Sequence, residues 1–160
     1  MTRGSESASK TGIASLIGQS EGTLFADFVL NGQAENANIL NSERNITQSF
    51  FMGFQTDGDF DAGLYIGGSF AGRIQVPAGI TIGQRCKVAY AYKSGSFALY
   101  INGVQLGVSS NTFTSVSTFD DIFLNDPTVY FNYQENVSFN QVLIFKTRLS
   151  NADLATLTTI

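Results

Sequence analysis

The stretch "DGDFD", residues 57 to 61, places three carboxylates, Asp57, Asp59 and Asp61, at alternate positions. Calcium takes six to eight oxygen ligands, so such a loop can supply part of a cage, with Asn125 or Asp126 from another loop as helpers. A solvated hairpin turn is the competing reading. The pattern is not an EF-hand, which needs a glycine after the third ligand and a distant glutamate. The chain has no histidine, which removes Ser-His and Cys-His nucleophile pairs and histidine metal sites. Two-carboxylate glycoside hydrolysis needs an acid and its partner about 5 to 9.5 Å apart. The candidate acids Asp57, Asp59, Asp61, Asp120, Asp121 and Asp126 show no such pairing in their spacing. Catalysis is therefore not expected. The single cysteine, Cys86, opens a strand-like segment and reads as a small core or edge residue rather than a nucleophile.

Sugar recognition asks for an aromatic platform beside planar polar side chains. Tyr65, Tyr92, Tyr130 and Tyr133 lie near Asp, Asn and Gln in the sequence. Of these, Tyr65, Tyr92 and Tyr133, with Asn125 and Asp126, form the candidate ligand-binding set. Sheet packing is the alternative use of each tyrosine, and the absence of tryptophan weakens the stacking available. Asn45 in "NIT" and Asn136 in "NVS" match glycosylation acceptors.

These residues are positioned by strands. In "KVAYAYK" (87 to 93) Val88, Tyr90 and Tyr92 alternate with small or charged residues, a period of two. "KSGS" supplies a turn, Phe97, Leu99 and Ile101 mark the next strand, and Asn102-Gly103 is a strong type I′ hairpin signal. Further strands are expected at 23 to 31, at 47 to 55, near Ile39, across a 62 to 76 hairpin, and at 128 to 134. The segment 117 to 124 reads as a strand or a buried turn. The run Val142-Leu143-Ile144-Phe145 implies a strand covered on both faces. Near the end, Ser150 with Asp153 fits a capping box and Leu149 with Leu154 a hydrophobic staple. They predict one short helix, about 151 to 157.

At 160 residues, with 14 Phe and 6 Tyr, the chain reads as one domain, residues 13 to 160, after a polar, serine-rich arm, residues 1 to 12. A net charge of -4 with only 9 basic residues offers no basic stripe for nucleic acid. No apolar run is long enough for a membrane span, and the N-terminus carries no apolar signal core.

Two motifs carry a family resemblance. Tyr100-Ile101-Asn102-Gly103 ends one strand, and Arg148-Leu149-Ser150 followed by Asp153-Leu154 closes the domain. With "LIGQSEGTLFADF" near the start, the order resembles the concanavalin A-like lectin/glucanase jelly roll in its laminin-G-like or pentraxin-like form, as found in bacteriophage tail fibres and bacterial surface proteins. The resemblance implies an all-β, two-sheet antiparallel sandwich with a short C-terminal helix. It implies a non-catalytic module that binds a glycan or host-surface receptor, on a virion or extracellular surface. A structural or decoration component of such an assembly is the alternative. Calcium is a possible cofactor by the same resemblance. The glucanase signature, Glu-x-Asp-x-x-Glu, is absent. The polar arm has little apolar surface with which to dock on its own domain, so contact with a neighbouring copy, as in a trimer, or with a larger assembly is expected.

Overall fold

A computed structural model of the chain describes residues 8–32, 37–42, 47–124 and 137–160. Among these, eleven strands form two antiparallel sheets: β1 (Ala8–Thr11), β2 (Glu21–Leu30), β3 (Asn38–Asn41), β4 (Gln48–Phe54), β5 (Asp59–Ile66), β6 (Ser69–Pro77), β7 (Arg85–Lys93), β8 (Phe97–Ile101), β9 (Val104–Ser109), β10 (Asp121–Leu124) and β11 (Val137–Phe145). The six-stranded sheet runs β1-β10-β3-β4-β5-β6 and the five-stranded sheet β11-β2-β7-β8-β9. One helix, α1 (Asn151–Thr158), follows.

The inner faces meet in a single core. Leu24, Ala26, Phe28 and Leu30 of β2 and Val88, Tyr90 and Tyr92 of β7 face Phe50, Met52 and Phe54 of β4 and Phe60, Ala62 and Leu64 of β5. Period-two alternation in each strand produces this, since every second side chain points to the same side. The β8–β9 hairpin turns on Asn102 and Gly103, with φ of 49° and 83°, as a type I′ turn requires. Asn102 Oδ1 accepts the Lys87 N–H at 2.9 Å, so it is a structural turn residue.

The outer face of the five-stranded sheet carries a second cluster: Phe25, Ala89, Ala91, Ala98 and Tyr100, under Leu149, Leu154 and Leu157. The three alanines leave room for α1 to lie close to the strands. Ser150 caps the helix, its Oγ accepting the Asp153 N–H at 3.1 Å and donating to the Asp153 carboxylate at 2.6 Å. Leu143 and Phe145 of β11 pack into this cluster while Val142 and Ile144 pack into the main core, so that strand is covered on both faces.

Two boundaries differ from the sequence reading. The turn ends at Gly58, and Asp59 and Asp61 already belong to β5. Residues Ala8–Thr11 of the polar arm form an edge strand on β10, paired Ala8↔Leu124 to Thr11↔Asp121. A backbone ladder, not apolar docking, holds those four residues. Residues 1–7 and the strand expected at 128 to 134 lie outside the described residues.

Candidate functional site

The outer face of the six-stranded sheet, at β5 and β6, gathers the polar and aromatic groups. Gly67 and Gly68 close the β5–β6 hairpin with φ of 59° and 85° and set Tyr65 opposite Phe70. Their rings meet edge to face at 5.4 Å, and Phe70 meets Phe51 of β4 at 5.7 Å. Phe51 is buried, Tyr65 is partly buried, and Phe70 is 46% exposed.

A β-bulge in β6 completes the face. The register between β5 and β6 shifts between Ala62 and Leu64, where Gly72 takes φ 61°. Without the extra residue, Phe70 and Arg73, three apart, would point to opposite faces. With it, both point outward, and the Arg73 guanidinium carbon sits 4.7 Å from the Phe70 ring centre. The same glycine gives its carbonyl to the Tyr90 hydroxyl at 3.0 Å, so the bulge is anchored from inside the core.

Around Arg73 lies a hydrogen-bonded carboxylate network. Arg73 Nε donates to both Asp61 oxygens at 3.1 and 3.0 Å, and the terminal nitrogen reaches Asp61 at 2.8 Å. Gln55 Nε2 donates to Asp61 at 2.7 Å. Arg73 also donates to Gln75 Oε1 at 3.1 Å, and Gln75 Nε2 reaches Asp57 at 3.3 Å and Asp59 at 3.4 Å. Asp61 is buried; Arg73, Gln75 and Asp57 are exposed.

These carboxylates are the ones expected to serve calcium. Asp57, Asp59 and Asp61 are near one another, and each accepts a hydrogen bond from an amide or guanidinium group. A cation there would have to displace Arg73 from Asp61. Among the described residues no group of three or more His, Cys, Asp or Glu is placed to hold a metal ion.

Tyr92 is corrected as well. It lies on the inner face of β7 with 0% exposure, donates its hydroxyl to the Gly18 carbonyl at 2.6 Å, and packs edge-on against Phe119. Burial pushes its hydroxyl pKa up, and the ring offers no ligand a surface. Tyr65 does reach the outer face. Asn125, Asp126, Tyr130 and Tyr133, with Asn45 and Asn136, lie outside the described residues. Cys86 is a core residue whose thiol is pushed up to about 12, first by burial and then by the nearby Asp27 charge. It is a thiol, not a thiolate, at neutral pH.

Phe70, Arg73 and Gln75 were missed by the residue-by-residue reading. The pair Gly67-Gly68 was the available signal, because a two-residue glycine turn fixes the cross-strand partner of Tyr65. Asn41 Oδ1 and Ser49 Oγ, on neighbouring strands, are fully buried and lack a hydrogen-bond partner.

No protein-family model matches the sequence, and a search of curated proteins finds no match. Solved structures do match. A SAP-like pentraxin from Limulus polyphemus is 16% identical over 90% of this chain and 72% of its own, with a TM-score of 0.69. The CBM40 module of the Ruminococcus gnavus IT-sialidase, bound to α2,3-sialyllactose, is 13% identical over 89% of this chain and 84% of its own, at 0.71. The receptor-binding domain of botulinum neurotoxin mosaic serotype C/D is 15% identical over 96% of this chain and 40% of its own, at 0.73. Two antiparallel sheets, one terminal helix and these likenesses together establish that the chain has the concanavalin A-like jelly-roll sandwich fold.

Proposed function

We propose that this chain is a non-catalytic carbohydrate-binding module whose ligand lies on the outer face of β5 and β6. The observation that carries the reading is the exposed Phe70 ring, with Tyr65 beside it and the planar groups of Arg73, Gln75, Asp57 and Asp59 alongside. A sugar ring offers an apolar C–H face and a rim of hydroxyls, and this surface answers both. Because Arg73 is already neutralised by Asp61, and Asp57 and Asp59 add negative charge, the face suits an uncharged sugar. The hydrogen-bonded state of Asp61 gives no support to a glycosidase pair. That the pentraxin and CBM40 structures share the fold is consistent with a binding role.

The setting we propose is a phage fibre or a bacterial surface protein that meets a glycan or host-surface receptor. Neither a nucleic-acid partner nor membrane insertion is part of the reading; among the described residues no helix is long and apolar enough to cross a membrane. The polar arm, residues 1–12, is the proposed contact with neighbouring copies. Light scattering of the chain with and without residues 2–11 tests that contact.

A glycan array tests the main reading. The intact protein is expected to bind neutral glycans, and Phe70→Ala and Tyr65→Ala to lose that binding. A silent array, or variants that bind like the parent, would overturn it.

A further inference from the structure

A hollow lies far from Phe70 in the sequence, at one end of the five-stranded sheet. Its volume is about 520 Å³. Small-molecule sites run from roughly 300 to 1,000 Å³, so it is large enough for a sugar. Three separate segments wall it: the β7–β8 turn with Ser96, the end of β9 with Ser109, Ser110 and Asn111, and the approach to α1 with Arg148 and Asn151. The walls are tied together. Gly95 N–H donates to the Asn111 carbonyl at 2.8 Å, and the Ser94 hydroxyl both donates to the Phe113 carbonyl and accepts its N–H, at 3.1 and 2.9 Å.

Arg148 sets the chemistry. Of the three arginines among the described residues, Arg73 and Arg85 each pair with a buried aspartate; Arg148 has no ion pair. Its guanidinium is fixed in place by donation to the Leu149 carbonyl at 2.6 Å and Asn151 Oδ1 at 2.7 Å. Nε is buried and has no partner. A guanidinium carries five N–H donors, and the two bonds leave it short of acceptors. Nε is closed off from the hollow, so a ligand there meets the terminal nitrogens, each of which keeps one N–H beyond its present bond. The nearby carboxylates are already engaged: Glu21 accepts the Arg148 backbone N–H at 3.2 Å and pairs with Lys93, and Asp153 accepts the Ser150 hydroxyl.

From this we infer that the hollow is a second binding site, for an acidic sugar, with its carboxylate on Arg148 and its hydroxyls on Ser96, Ser109, Ser110 and Asn111. The planar guanidinium fork matches a carboxylate, and hydroxyl and amide side chains both donate and accept, as a polyol requires. The site is separate from the Phe70 face and differs from it in charge preference.

Titration of the intact ¹⁵N-labelled protein with D-glucuronate and, separately, with D-glucose tests it by NMR. Millimolar glucuronate is expected to move the Arg148 Nε–H signal and the Ser109 to Asn111 amides, and glucose to leave Arg148 unmoved. Arg148→Gln is expected to weaken glucuronate binding roughly tenfold or more, the loss of a charge-assisted contact. Unmoved signals, equal response to both sugars, or undiminished binding by Arg148→Gln would overturn the inference. The comparison of two probes on the parent protein stands even if the variant does not fold.

Discussion

On its outer face the five-stranded sheet is sealed by a helix, while the six-stranded sheet leaves an aromatic ring in solvent. The two faces are otherwise built alike. Each holds a buried aspartate on one strand, an arginine on the neighbouring strand, and an amide from a third element. In the first, Asp27 accepts from Arg85 at 2.9 and 2.6 Å and from Asn140 at 3.0 Å. In the second, Asp61 accepts from Arg73 and Gln55. What differs is the company of the pair. On the same face as Asp27 lie Phe25, Ala89 and Ala91, covered by Leu154. Beside Asp61 lie Tyr65 and Phe70, and the Phe70 ring is open. The same polar device therefore serves a packed interior on one side and borders an accessible platform on the other.

The largest expected effect comes from breaking the sealed face. Phe25 is 1% exposed beneath the helix. Phe25→Ala is expected to cost about 3 to 5 kcal/mol, as for other buried phenylalanines. Denaturant unfolding measures this, and glycan binding by the folded fraction should be unchanged. Binding lost in step with stability would mean the two faces are not independent.

Next is the bulge that aims the open face. At Gly72 an added Cβ would land on the Phe97 ring, in a left-handed conformation. Gly72→Ala is expected to cost roughly 1–2 kcal/mol for the conformation and roughly 1–3 for overpacking. It should also reduce sugar binding by shifting Arg73 relative to Phe70. A variant as stable as the parent would show that the bulge is not fixed by this glycine.

The Asp27–Arg85 pair allows a pH test. The hydrogen bond from Arg85 is the main cause that holds Asp27 below its ordinary value, helped by Asn140 and the Arg85 charge, against the opposing effect of burial. A depressed folded pKa stabilises the fold fully above the unfolded value of about 3.9, and this is lost as pH falls through the folded value. Asp27→Asn is therefore expected to cost about 1–3 kcal/mol at neutral pH, the penalty for an unmet charged partner. Arg85, half-exposed, can turn to solvent, which keeps the loss below that of a fully buried pair. The gap between variant and parent should close below pH 4 in thermal unfolding. A gap independent of pH would assign the effect to packing instead.

These contrasts were unevenly legible in the sequence. The alternation of Val88, Tyr90 and Tyr92, the Asn102-Gly103 turn, and the Leu149-Ser150-Asp153-Leu154 ending all act over a few residues, and each appears in the fold where the sequence puts it. Tyr92 shows the limit. Period two states which residues share a face, but β7 is a central strand covered on both sides, and the alternation alone does not say whether a tyrosine meets core or solvent. Asp57, Asp59 and Asp61 show another: their partners, Arg73 and Gln75, come from the next strand, beyond the reach of local spacing. The bulge at Gly72 hid the rest, because a spacing of three in a strand places Phe70 and Arg73 on opposite faces until one residue is set aside. Arg148 was read as part of a closing motif, and only the convergence of three distant segments shows a hollow around it.

The smallest expected change in stability is at the open face itself. Phe70 keeps only partial burial, and its contacts are ring edges from Tyr65 and Phe51 and the Arg73 guanidinium. An exposed cation–π contact is worth about 0.5–1 kcal/mol. Phe70→Ala is therefore expected to lower stability by about 1 kcal/mol or less while removing most of the sugar-facing ring. Arg73 keeps Asp61 in this variant, so the polar network remains. The unfolding midpoint should barely move while affinity for a neutral glycan falls. If instead stability drops as far as in Phe25→Ala, the ring is packing rather than platform, and the two outer faces are sealed by different means rather than one being open.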